Sequence, residues 1–178
     1  MTFFQYIYYL KPWLQLLLCV AGWAVWTIAM ILLVRRRRMR TCLAIIGIAL
    51  SLALILYQTL MLRSGGARRY TLRPFTIVLK AMENREYYRS MALNAILFTP
   101  FGMTAATLLS QKLSAGKSVG YAVLLGFLTS ATVEAAQYVF ALGIAETDDL
   151  ILNTLGAFFG AAHVWIVSLV ENRRKTKE

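Results

Sequence analysis

Five long apolar stretches dominate this chain and leave few architectures open to it. A helix rises about 1.5 Å per residue, so roughly 20 apolar residues cross about 30 Å of hydrocarbon. Stretches of that length lie near Trp13–Val34, Thr41–Leu62, Ser90–Ser110, Ser118–Leu142 and Asp148–Val170. Lipid offers no partner to a backbone amide, so each span must satisfy its own hydrogen bonds, as a helix does. Composition agrees. Of 178 residues, 59% are hydrophobic and 15% charged, against about 45–50% and about 25% in soluble domains. The expectation is an all-α integral membrane protein: a bundle of five transmembrane helices with one long basic loop between helices 2 and 3. The first span ends in Arg35-Arg36-Arg37-Arg38 rather than small residues, and reads as a permanent anchor rather than a cleaved signal.

The chain then divides into a two-helix membrane anchor (1–62), a basic outer loop (63–89), a three-helix core (90–170) and a basic tail (171–178). The net charge is +11. With no soluble domain to present a basic face, that charge marks loops and anionic headgroups rather than nucleic acid. Eleven basic residues fall at the 35–40 loop, at Lys112 and Lys117, and in the tail; eight fall on the other side. The positive-inside rule then makes the first group cytoplasmic, with the N-terminus outside and the C-terminus inside. Tyr6, Tyr8, Tyr9, Tyr57, Tyr70, Tyr87, Tyr88 and Tyr138 gather near the proposed outer interface, where amphipathic rings anchor. Within the long loop, Ser64-Gly65-Gly66 is a flexible start, and Thr76–Tyr88 is expected as a short helix on the membrane surface. Cys19 and Cys42 fall inside spans and read as small buried hydrophobes. With a single histidine, His163, no histidine-based metal site, cofactor or triad is expected.

Against this apolar background stand Ser130, Glu134 and Gln137, then Asp148, Asp149, Asn153, Gly156, Gly160 and His163. The first three share a stripe of span four, being four and three residues apart. Asp149, Asn153, Gly156, Gly160 and His163 share a face of span five. Polar groups in a membrane helix turn toward protein or a watery cavity. Spans four and five are therefore expected to pack along these stripes, the two glycines allowing close approach. By helix rise, Glu134, Gln137, Asp149 and Asn153 lie in the outer half, with Asn94 of span three near them. They are candidates to line one outward-facing pocket roofed by the arginine-bearing loop. Plainer roles stay open: Glu134 and Gln137 as interhelical glue, Asp148 and Asp149 as an N-cap and first-turn acid, Pro100 and Gly102 as a kink and packing site, and His163 as structural.

The same residues carry a resemblance. Asn94-Ala95-Ile96-Leu97-Phe98-Thr99-Pro100-Phe101-Gly102, then Glu134-Ala135-Ala136-Gln137, then Asp148-Asp149-Leu150-Ile151-Leu152-Asn153-Thr154-Leu155-Gly156-Ala157-Phe158-Phe159-Gly160, follow the order and spacing of the VanZ-like family. Thr71-Leu72-Arg73-Pro74-Phe75 resembles its N-L-I-P-F loop with two replacements. Family members often carry an arginine just before the acidic turn; here Ala141–Ala145 has none, and a basic residue of Arg63–Arg73 is the candidate substitute. The resemblance spans about residues 68–165 and implies a bacterial cytoplasmic-membrane protein of the cell envelope, linked in the family's namesake to lower sensitivity to teicoplanin.

Two classes of function follow. In the first, the pocket binds or modifies a lipid, an anionic lipid-linked envelope precursor or a lipophilic glycopeptide. Glu134 and Asp149 are then the catalytic candidates, and Asn94, Ser130, Gln137, Asn153, Arg68, Arg69 and Arg73 the ligand-binding ones. Arginine grips phosphate or carboxylate by paired bonds; a carboxylate accepts sugar hydroxyls or moves a proton. In the second, the protein is a non-catalytic structural or partner-binding subunit whose polar residues only lock helices. Homo-oligomerisation is compatible with either.

Overall fold

The computed structural model describes residues 12–63, 66, 68–76, 79–80 and 85–175. Its elements are α1 (Pro12–Leu32), α2 (Arg37–Leu56, continued by one π-helical turn, Tyr57–Met61), β1 (Arg69–Thr71), α3 (Arg85–Leu109), α4 (Ala115–Val139), β2 (Ile144–Glu146), α5 (Thr147–Ala161) and α6 (His163–Lys175). Five helical spans are long and apolar enough to cross a membrane: Leu14–Leu32, Arg37–Met61, Tyr87–Leu109, Ala115–Val139 and Thr147–Arg173. The protein is an all-α membrane bundle, with each span within a few residues of its expected place.

The bundle turns apolar side chains outward to lipid, and its interior mixes small and polar residues with a few large apolar ones. Leu17, Val25, Leu50, Leu128 and Phe159 are exposed, whereas Ala106, Ala122, Ala157, Ala161, Ser118, Ser130 and Gln137 are buried. Small residues let backbones close up where no hydrophobic drive exists between helices. The tightest crossing is α3 on α5. A Cβ at Gly156 would overlap the Ala95 carbonyl, one at Gly160 the Thr99 carbonyl, and one at Gly102 the Ala157 carbonyl. This corrects the sequence expectation: the glycine stripe of span five faces span three, and span four meets α5 through Gly126 against Ala157. Two apolar clusters flank the crossing. One joins Ile55, Phe98, Phe101 and Val133; the other joins Ala105, Ala106, Val119, Ala122, Ala161 and Val164.

Pro100 lies inside α3 without ending it. Proline has no amide for the Ile96 carbonyl; Thr99 and Thr104 on either side return their hydroxyls to the Ala95 and Pro100 carbonyls, at 2.9 Å each, a back-bonding that bends helices. Span five departs from expectation by dividing at Ala162 into α5 and α6. His163 opens α6, bonded through Nδ1 to the Gly160 carbonyl and through Nε2 to Thr107, both at 2.9 Å. Trp26 of α1 donates to the same threonine at 3.1 Å. His163 thus joins three helices.

Two three-residue strands were not expected. β1, in the basic loop, pairs in parallel with β2, in the turn before α5, in the register Arg69 to Ile144 and Thr71 to Glu146. Helix α3 begins at Arg85, inside the stretch assigned to a surface helix; Leu79 and Lys80 are helical too. The other parts of that expectation (77–78 and 81–84), the tyrosines at 6, 8 and 9, Lys11, Ser64-Gly65 and the last three residues lie outside the described residues.

Candidate functional site

The polar residues of spans three, four and five meet at the end of the bundle where β1 and β2 pair. Asp149, in the first turn of α5, accepts a hydrogen bond from Asn94 Nδ2 of α3. One turn deeper, Asn153 Nδ2 donates to Ser130 Oγ of α4 at 2.9 Å. Gln137 Nε2 donates to the Thr59 carbonyl of the π-turn at 3.0 Å. Glu134 Oε2 accepts the Glu146 amide at 2.9 Å. All four groups are therefore held by neighbouring elements. Ser130, Gln137 and Asn153 are no more than 3% exposed. Two amide oxygens of this set, Gln137 Oε1 and Asn153 Oδ1, are buried without a hydrogen-bond partner among the described residues. A buried acceptor left open in this way is a place for a donor.

The loop is fastened over this set. The Phe75 amide donates to Asp148 Oδ1, and Thr147 Oγ1 donates to the Thr71 carbonyl at 3.2 Å. The Gly66 amide donates to the Ala141 carbonyl at 2.7 Å. Tyr70 meets Tyr138 edge-on, with centroids 5.8 Å apart. Asp148 thus holds the loop, while the N-cap of α5 is Glu146, which makes no side-chain cap; the N-cap reading of Asp148 is corrected accordingly. Phe75 does this at a positive φ of 61°, a conformation L-residues hold only where the surroundings fix it.

The acidic turn is built on a strained helix end. The Leu142 amide donates to Gln137 O and the Ala141 amide to Tyr138 O, at 2.9 and 3.3 Å. That is the Schellman pattern, which places a left-handed residue just past the cap. Here the residue is Ala141, with φ 54°. Gly143 follows, and a methyl there would stand 2.6 Å from Arg63 Nη1. The absent side chain makes room for that guanidinium. A cation therefore does occupy the acidic turn, supplied from the end of span two rather than from the turn itself.

The structure brings Asn94, Ser130, Glu134, Gln137, Asp149 and Asn153 together. Arg68, Arg69 and Arg73 are exposed in the roof. Arg73 lines a small crevice of about 20 Å³ with Lys80, Tyr87, Thr147 and Asp148; Arg69 sits in β1. Residue-by-residue reading missed the roles of Thr59, Glu146 and the Phe75 amide, because carbonyl and amide partners carry no side-chain signal. Four carboxylates (Glu134, Glu146, Asp148, Asp149) surround the turn, yet among the described residues no cluster of His, Cys, Asp or Glu is arranged to hold a metal ion. Such an arrangement can accept hydroxyls, pair an ammonium or move a proton.

A family model described as VanZ/LLP1 matches residues 48–168. Protein VanZ of Enterococcus faecium is 34% identical over 106 residues, which are 58% of this chain and 57% of that protein. The match thus spans little more than half of the relative's length. No solved structure matches the chain.

Proposed function

Because the chain belongs to the VanZ/LLP1 family, we propose that it is a multi-pass protein of a bacterial cytoplasmic membrane whose acidic end faces outward and receives the head of an envelope amphiphile. The ligand class is a lipid-linked precursor or a lipoglycopeptide of the teicoplanin type, and the outcome of binding is lower sensitivity to such a drug. The observation that carries this reading is the pair of buried open acceptors, Gln137 Oε1 and Asn153 Oδ1, beneath the β1 roof. Ligand hydroxyls would donate to these oxygens once the loop lifts. Glu134 and Asp149 are the groups assigned to proton transfer; the Glu146 amide and Asn94 hold them in place, and Ser130 holds Asn153. Arg68, Arg69 and Arg73 grip an anionic group at the mouth, and Arg63 balances the carboxylates left behind.

A second reading is favoured by the mutual bonds Asn94–Asp149, Asn153–Ser130 and Gln137–Thr59: a non-catalytic subunit whose polar side chains lock helices, each bond contributing about 0.6–2 kcal/mol. Glu134→Gln and Asn153→Ala separate the two. If the site binds, both variants keep wild-type membrane abundance and melting temperature within a few degrees yet lose the envelope phenotype. Loss of folding in step with activity favours the structural subunit. Orientation is tested by Leu72→Cys and Lys112→Cys in a background without Cys19 and Cys42. An impermeant maleimide applied from outside should label only Leu72→Cys; labelling of Lys112→Cys instead overturns the outward site.

A further inference from the structure

At the end of the bundle away from the acidic turn, a cavity of about 350 Å³ opens among Arg40, Ser110, Ser114, Ala115, Ser168 and Glu171. Arg40 is 4% exposed and its Nη1 is paired with Glu171. Its Nε is buried without a hydrogen-bond partner among the described residues. An arginine that far from solvent, with a donor unused, is expensive unless something accepts from it. The N-terminal turn of α4 forms part of the same wall. Ser114 is the N-cap of that helix but makes no side-chain cap bond, and the first amides of any helix lack intrahelical acceptors. Free amides and the positive end of a 25-residue helix attract an anion. Ser110 and Ser168 donate their hydroxyls to the Thr107 and Trp165 carbonyls, which leaves their oxygens as acceptors facing any donor beside that anion.

We infer that this cavity is a binding site for a phosphate group carrying hydroxyl or ammonium donors, held between Arg40 Nε and the first turn of α4. Glu171, paired through one oxygen, and the two serine oxygens receive the ligand's donors. A glycerophospholipid headgroup and a small free phosphomonoester share this chemistry. The site is separate from the acidic turn and depends on neither the ligand nor the orientation proposed for it.

The test is thermal melting of the detergent-solubilised full chain with short-chain phosphatidylglycerol, with glycerol phosphate, and with an uncharged diacyl glycolipid. Two variants are compared with wild type. Arg40→Gln/Glu171→Gln removes the cation without stranding its partner. Ala115→Asp puts a carboxylate at the first helical position, which favours the helix while repelling an anion. Phosphatidylglycerol should raise the wild-type melting temperature, and its apparent affinity should fall about tenfold or more in both variants, as for loss of a charge-assisted bond. A parallel response to glycerol phosphate makes the phosphate itself the ligand; a response to the lipid alone makes it the headgroup. If the double variant does not fold, Ala115→Asp decides alone. Equal binding by wild type and Ala115→Asp, or equal stabilisation by the uncharged glycolipid, overturns the site.

Discussion

Replacing Gly156 by alanine tests the α3–α5 crossing that positions the acidic site. The new methyl would overlap the Ala95 carbonyl oxygen and stand 2.8 and 3.0 Å from that residue's carbonyl carbon and Cα. Comfortable separations are about 3.5–4.0 Å, and backbone atoms cannot swing aside as a side-chain tip can. The helices must therefore part by about 1 Å. Overpacking of that kind costs about 1–3 kcal/mol, and a gap of about 1 Å forfeits up to about half of each lost contact's attraction. Alanine returns about 1 kcal/mol in helix propensity. The expected net loss is about 1–2 kcal/mol, a fall of about 2–8 °C for a chain of this size. Gly120 of α4 has nothing within 4 Å of its would-be Cβ, so Gly120→Ala gains only the propensity and should melt about 2–4 °C higher. Tryptophan fluorescence during heating in detergent reads both. The displacement also acts on Asn94, the neighbour of Ala95, so Gly156→Ala should weaken the envelope phenotype beyond its stability loss. If Gly156→Ala melts with or above Gly120→Ala, the backbone contact is not the closest point of the bundle and the reasoning fails.

Ala141→Gly should stabilise the fold. A left-handed alanine costs about 1–2 kcal/mol, glycine's extra unfolded freedom takes back about 0.5–1 kcal/mol, and calorimetry should show a rise of about 1–4 °C. Arg63→Gln should reduce the phenotype with membrane abundance unchanged, and an undiminished phenotype would remove Arg63 from the site; Gly143→Ala crowds the same guanidinium and also strains a backbone held at φ 157°, so it should lower the melting temperature as well. Asp148→Ala removes the acceptor of the Phe75 amide. The loop between Arg68 and Thr76 should then be cut faster by added protease while α3 and α5 stay protected, and an unchanged cleavage rate would show that the roof is held elsewhere.

Much of this was legible before any coordinates. Span positions follow from length and hydropathy, since lipid imposes one rule on every backbone amide. The grouping of Glu134, Gln137, Asp149 and Asn153 follows from phase and depth. What stayed hidden has a common cause. Glycine stripes say that something approaches closely, not which helix does, so Gly156 and Gly160 were matched to span four when Ala95 and Thr99 of span three receive them. The break at Ala162 has no proline to announce it, and Gly160 just before it read as part of the packing stripe. The β1–β2 pair joins three-residue segments whose bond is made by backbone alone. Arg63 was one of several basic residues in its loop, and only the open face of Gly143 identifies it.

The parallel pairing of Arg69–Thr71 with Ile144–Glu146 has a consequence for the order of assembly. Two complete membrane crossings, α3 and α4, separate the strands in sequence, and the Thr147–Thr71 bond beside them spans 76 residues. Contacts between such distant segments form late, since the whole intervening chain must be ordered first. Spans three and four have to be inserted, and the turn before α5 delivered to the same face of the membrane, before the strands can meet. Pairing of the strands is therefore a report that spans three and four are in place. A chain stalled after span four and before β2 would leave Glu134 and Gln137 with neither the roof nor the carboxylates that open α5.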